Sequence, residues 1–274
     1  MRHRRPKLQR QVGWLGWRLL SRTVLGLAFL LVLGPFVPVA ISAFDSGLPG
    51  EQGFQGFTID WFSIALTRPD FQSGLIVSVK VAGGAAAVAL LIGVASAFAM
   101  TRGPRWARGA TFAGFVMSPV VIPQFLISLA MLQLLSVMGV RLGIAGLIAV
   151  HGAFISPFVV RAISASLADQ GGVYEWAAMS LGADRLKVLR TVTLPLIRPA
   201  LGAAVIIAFT LSFVNVPLSL FLAPSGARTL PIIMFQELEF SLSPVLAALA
   251  VLLAIPITGA VLFIERIFKV RVLT

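Results

Sequence analysis

Apolar residues along this chain fall in long blocks rather than in stripes of helical or strand period, and polar and charged residues collect between the blocks. A helix crossing the hydrocarbon core needs about 20 mostly apolar residues, because about 30 Å is covered at about 1.5 Å per residue. Six stretches meet that need, near 22–44, 72–100, 109–138, 143–167, 199–222 and 241–265. With no water available to backbone groups inside a bilayer, such blocks must be helical. The pattern therefore predicts an all-α integral membrane protein with six transmembrane helices.

Charge between the blocks alternates. One set of segments holds Arg2, Arg4, Arg5, Lys7, Arg10, Arg18 and Arg22, then Arg102, Arg105 and Arg108, then Arg185, Lys187, Arg190 and Arg198, and finally Arg266, Lys269 and Arg271. The opposite loops, 45–71 and 223–240, hold Asp45, Glu51, Asp60, Asp70, Glu237 and Glu239 against Arg68 and Arg228 alone. The positive-inside rule makes the basic face cytoplasmic, and an even number of spans places both termini there. The chain then divides into a basic cytoplasmic segment, 1–21, a first span with its outer loop, 22–71, a core of five spans, 72–265, and a cytoplasmic tail, 266–274. A cleavable signal peptide is the rival reading of the first block. Its apolar run from Thr23 to Ala43 exceeds the roughly 7–15 residues of a signal core, and cleavage would leave five spans with mismatched charge.

Composition agrees with this picture. The chain is 58% hydrophobic and 12% charged, whereas soluble domains carry about 45–50% apolar and about 25% charged residues. A net charge of +12 invites comparison with nucleic-acid-binding proteins. Here the cations mark topology instead, and no nucleic acid is expected as a partner. There is no cysteine, which removes disulfides and thiolate metal sites. His151 has no acidic or histidine neighbour at ligand spacing, so no metal site is expected. Lys80 is a lone charge inside the second block, best read as snorkelling to the outer interface. Gly83, Gly84 and Ala85 to Ala87 offer small faces for close helix approach. No span carries HExxH, GxSxG or paired carboxylates, so no catalytic residue is assigned.

The loop at 168–198 is the most informative segment. Val173 to Leu181 has no internal breaker and ends at Gly182, which can take the left-handed conformation that closes a helix. Asp184 is placed to cap a second helix. On that helix Leu186, Val188, Leu189 and Val192 share one side, with Lys187, Arg190 and Thr191 opposite. Pro195 and Pro199 predict a bend where the fifth span begins.

In this loop Ala177, Ala178, Gly182, Val192, Leu194 and Pro195 fall in the register of a known signature, Glu-Ala-Ala, then Gly after three residues, then Ile-x-Leu-Pro. The chain thereby resembles the permease subunits of binding-protein-dependent ABC importers. It departs from the signature at Trp176, which stands where the motif has Glu, while Glu175 lies one place earlier, about 100° round the helix. The sequences AFAMTR at the end of the second block and SPVVIPQF in the third also look like this family, so the resemblance covers roughly 72–265.

The resemblance implies a type I ABC importer permease fold in a bacterial inner membrane, with a cytoplasmic coupling helix seated in a cleft of a separate ATPase. Glu175, Trp176, Ala177, Ala178, Gly182, Asp184 and Pro195 are the coupling residues it points to. No GxxxxGK[ST] loop occurs in the chain. ATP and Mg would thus be held by the partner, and this chain would bind no cofactor. The expected assembly has two ABC ATPase subunits, a second permease and a periplasmic substrate-binding protein.

From around Phe209 the chain further resembles spermidine/putrescine-type permeases, which are usually paired with a different permease, so a heterodimer and a polyamine or related small amine are the expectations. Permeases of that type often carry acids where this chain has Val214 and Asn215. Ser212, Asn215 and Pro217 are the pathway-lining candidates, Asn215 beside a proline being able either to face a cavity or to bond between helices. The competing reading, an ATP-independent six-span transporter, exporter or channel, leaves the loop signature without a cause.

Overall fold

A computed structural model describes residues 7–47, 51, 53–169, 172–240 and 243–268. All its regular elements are helical: α1 (Lys7–Leu33), α2 (Phe36–Phe44), α3 (Asp60–Thr67), α4 (Pro69–Arg102), α5 (Ala110–Val121), α6 (Gln124–Val137) and α7 (Ile144–Asp169). Then follow α8 (Val173–Ser180), α9 (Arg185–Val188), a π turn (Leu189–Thr193), α10 (Leu194–Phe213), α11 (Val216–Leu222), α12 (Leu230–Phe240) and α13 (Pro244–Phe268). The expected tail residues Lys269 and Arg271, like Arg2, Arg4 and Arg5, lie outside the described residues.

The chain divides into two compact units, 1–65 with 242–251 and 66–241 with 252–274. In the first, Ala43, Ala247 and Ala248 pack under Phe44, Trp61 and Phe62. The expected boundary at residue 22 falls inside α1, which begins at Lys7. Just after α2 the Asp45 carboxylate accepts the amides of Gly47 (3.1 Å) and Gln55 (2.9 Å), closing the α2–α3 loop on itself.

The second unit is built on α4, α7 and α10. Its core sets small residues of α4 and α10 (Ala86, Ala89, Ala97, Ala204, Ala208) against branched ones of α7 (Ile155, Val159, Val160, Ile163). Glycine brings α4 and α7 closest. A Cβ on Gly93 would lie 2.6 Å from Val159 Cβ, and one on Gly152 would lie 2.5 Å from Val88 Cβ. Of the glycine pair singled out in α4, only Gly84 meets a neighbour, Ile148; Gly83 faces open space.

Among the described residues three helices are long and apolar enough to span a bilayer, Pro69–Arg102, Ile144–Asp169 and Arg185–Phe213, and two bent pairs raise the number to five. α13 adds the shorter apolar stretch Pro244–Gly259. The apolar blocks are not all single unbroken helices. The first span bends by 45° between α1 and α2, at Gly34 and Pro35. The third is broken by 95° between α5 and α6, because Pro123 forces the preceding Ile122 out of helical geometry to φ −84°, ψ 132°. The fifth runs as continuous helix through Pro195 and Pro199. Helix continues from Arg185 to Phe213, breaks at Val214 and Asn215, and resumes as α11. The π turn widens the hydrogen-bond ladder just ahead of Pro195, where a proline ring would otherwise crowd the carbonyl one turn back.

Where α4 begins, Arg68 pairs with Asp70 (2.6 Å) and Glu237 (2.8 Å) and lies 3.9 Å over the Phe71 ring. These carboxylates hold the guanidinium pKa above its usual range, the Asp70 hydrogen bond contributing most.

Candidate functional site

α8 forms between two left-handed glycines. Gly172 enters it at φ +75° and Gly182 leaves it at φ +85°. At its end Gly182 N–H donates to Met179 O (3.0 Å) and Ala183 N–H to Ala178 O (3.1 Å), the paired bonds of a Schellman motif. Asp184 Oδ1 then accepts the Lys187 amide at 2.8 Å and starts the next helix.

The acidic residue of α8 points into the protein. Glu175 Oε2 accepts from Arg102 Nε at 2.9 Å, and Oε1 accepts from Thr193 Oγ1 at 3.0 Å. Arg102, the last residue of α4, also donates to Leu167 O in α7 at 3.1 Å. Three elements (α4, α8 and the π turn) thus meet on one carboxylate, whose side chain is 16% exposed, and Arg102 ties α7 to them. Trp176, the next residue, is 70% exposed. An open pocket of about 400 Å³ lies beside it, lined by Phe98, Arg102, Glu175, Trp176, Arg185 and Thr193 among others.

The remaining loop residues take different places. Ala177 is exposed, Ala178 half-buried and Pro195 exposed. Of the apolar side expected at Leu186, Val188, Leu189 and Val192, Val188 is buried, Leu189 and Val192 are half-buried and Leu186 is exposed, and Lys187, Arg190 and Thr191 opposite are exposed. The residues buried are Val188, Thr193 and Ile197, five and then four positions apart. The π turn supplies the extra residue in the first interval, which a wheel drawn at 100° per residue omits. Arg185, Lys187 and Arg190 are exposed and form no ion pair among the described residues.

The pathway candidates are taken up inside the chain. Ser212 and Asn215 are buried. Asn215 Oδ1 accepts the Leu218 amide (3.0 Å) and caps α11, and Pro217 follows half-buried in its first turn. Ser212 Oγ lies 3.0 Å from His151 Nδ1, and Ser219 Oγ lies 3.3 Å from His151 Nε2. His151 therefore bonds both sides of the break at Val214 and Asn215. Val214 is 51% exposed. Lys80 is exposed on α4.

Arg102 and Thr193 escaped sequence reasoning. Arg102 read only as a topology charge, and nothing local links it to a residue 73 positions later. Thr193 reaches Glu175 only through the π turn.

No family model matches the chain. It is 30% identical over 251 residues to the Escherichia coli K12 putrescine transport system permease protein PotI, covering 89% of this chain and 88% of that one. It is also 30% identical over 222 residues to the spermidine/putrescine transport system permease protein PotC of the same organism, covering 81% and 83%. A molybdenum transport system permease protein, ModB of Mycobacterium bovis, is 28% identical over 65% of this chain and 74% of its own. Among solved structures, a bacterial ABC transporter involved in import of the acidic polysaccharide alginate is alike in fold, with a TM-score of 0.68, 17% identity and coverage of 97% and 100%.

Proposed function

Because this chain belongs to the permeases of binding-protein-dependent ABC importers, non-catalytic multi-pass inner-membrane subunits that bind no cofactor and rely on a partner ATPase and a binding protein, we propose that it couples that ATPase to solute uptake through α8. It has six spans with both termini cytoplasmic, the bent pairs α1/α2 and α5/α6 each counting as one and α13 as the sixth. It forms half of the pathway opposite a second, different permease, and the complex carries two ATPase subunits. The transported solute is a polyamine or related small amine, as the names of its relatives indicate for those proteins.

The observation that carries the coupling role is α8 itself. It is a short helix closed at both ends by left-handed glycines and exposed along one side, in a loop leading into the fifth span. Two-state rigid-body motion of a partner is transmitted by a stiff element of this kind. Ala178→Asp and Gly182→Val are expected to abolish uptake while membrane insertion persists. Uptake at the parental rate by either inserted variant refutes the coupling role. Labelled putrescine and spermidine, offered to proteoliposomes holding the full importer, test the substrate separately. Absence of both uptake and competition rejects an amine and leaves the permease assignment standing.

A further inference from the structure

Resting on the coupling role above, we propose that Trp176 is the anchor by which α8 enters the ATPase, that Glu175 is an inward brace rather than a docking residue, and that the receiving cleft is apolar with an acidic rim. The exposed residues of α8 and its cap are Val173, Tyr174, Trp176, Ala177, Met179, Ser180 and Leu181, Met179 the least open of the large ones at 37%. At 100° per residue they span an arc of roughly 220°, with Met179 at one edge, and Glu175 projects within the remaining gap of roughly 140°. The middle of that arc is a ridge of modest side chains, Val173, Ala177 and Ser180, and Trp176 and Tyr174 flank it. Trp176, Tyr174 and Leu181 are 70%, 59% and 89% exposed.

No acid remains on this face. Glu175 is held by Arg102 and Thr193, and Asp184 is spent on its cap. The neighbouring Arg185, Lys187 and Arg190 are exposed without ion pairs among the described residues. A partner complementary to this surface offers an apolar groove for the aromatic flanks and carboxylates around it. A cationic groove, the complement of a docking Glu, would meet Arg185, Lys187 and Arg190 with Asp184 as the one exposed acid beside them. The brace gives Glu175 a separate role. It joins α8 to the ends of α4 and α7, so displacement of α8 is passed to both.

The absence of native cysteine makes single-cysteine labelling clean. In inside-out vesicles of the importer stripped of its ATPase, Trp176→Cys is expected to react with a maleimide before the ATPase is added back. At least about tenfold protection is expected afterwards, as for a buried interface anchor. In the same system Trp176→Phe should retain the ATPase. Trp176→Glu, which writes in the motif's acid, should weaken association by at least about tenfold. Glu175→Gln should keep the ATPase bound but lose uptake.

Tight association of Trp176→Glu, or loss of the ATPase from Glu175→Gln, overturns the inference while leaving the coupling role intact. A Trp176→Cys thiol already unreactive without ATPase places this face in lipid and also overturns it. Full reactivity at position 176 with the ATPase bound, together with normal uptake by Ala178→Asp, would instead reject the coupling role itself.

Discussion

Gly93→Ala is a test of how α4 and α7 hold together. The new Cβ would sit 2.6 Å from both Cβ and Cγ1 of Val159 and 3.2 Å from Ser156 O. Carbon pairs prefer about 3.5–4.0 Å, so about 1 Å of separation must be found. Val159 is fully buried, and a β-branched side chain in a helix has essentially one rotamer, so it cannot turn aside. The helices must part, at the roughly 1–3 kcal/mol typical of overpacking. Alanine recovers roughly 0.5–1 kcal/mol of helix propensity over glycine. Gly83→Ala gains the same propensity on the same helix and meets nothing within 4 Å, so the difference between the two variants isolates the overpacking. Thermal unfolding in one detergent should separate them by roughly 2–12 °C, at about 2–4 °C per kcal/mol for a chain of this size. If Gly93→Ala is as stable as Gly83→Ala, the close packing described for this seam is wrong.

Further outcomes are expected. His151→Leu should destabilise the protein by roughly 1–3 kcal/mol, since it leaves the buried Ser212 and Ser219 hydroxyls without their partner; an unchanged denaturation midpoint would contradict this. Gly182→Val should cost roughly 1–2 kcal/mol locally, because a β-branched residue must adopt φ +85°, and faster amide exchange confined to 177–184 would report it. The Asp45 carboxyl is held below its usual value of 3.8, chiefly by the Gln55 amide, against desolvation and with help from Gly47. Its contribution to the α2–α3 loop is therefore complete above about pH 3.8 and disappears as pH falls through the lower folded value. Amide exchange at Gly47 and Gln55 should rise only in that acidic window, and Asp45→Asn should abolish the dependence.

The helical character and most of the apolar blocks were legible because lipid permits few alternatives, and an uninterrupted block such as 72–100 has no competing fold. The loop helix was legible for a different reason: Gly182 and Asp184 are local stop and start signals whose effect depends on a few neighbouring residues. What stayed hidden was non-local or concerned the ladder of hydrogen bonds. Pro123 was visible, yet a proline in an apolar block either kinks or breaks a helix, and tertiary packing decides between them. Asn215 offered a hydrogen bond whose direction the chain alone did not fix; it goes to the cap of α11. The two roles of Glu175 and Trp176 separate only once Arg102 is brought up from α4, since neighbouring residues on a short exposed helix are otherwise equivalent candidates for contact.

The π turn at Leu189–Thr193 acts as a phase shifter between the loop and the fifth span. It holds one residue more than an α turn, so closing it to α geometry would rotate one side against the other by roughly 100° and lengthen the rod by about 1.5 Å. Thr193 would leave the Glu175 carboxylate in that step, although no residue had changed and no helix had ended. Loop and span are thus geared rather than welded. Any twist of α8 relative to α10 would have to pass through this turn, and it would load the Thr193–Glu175 bond that spans it.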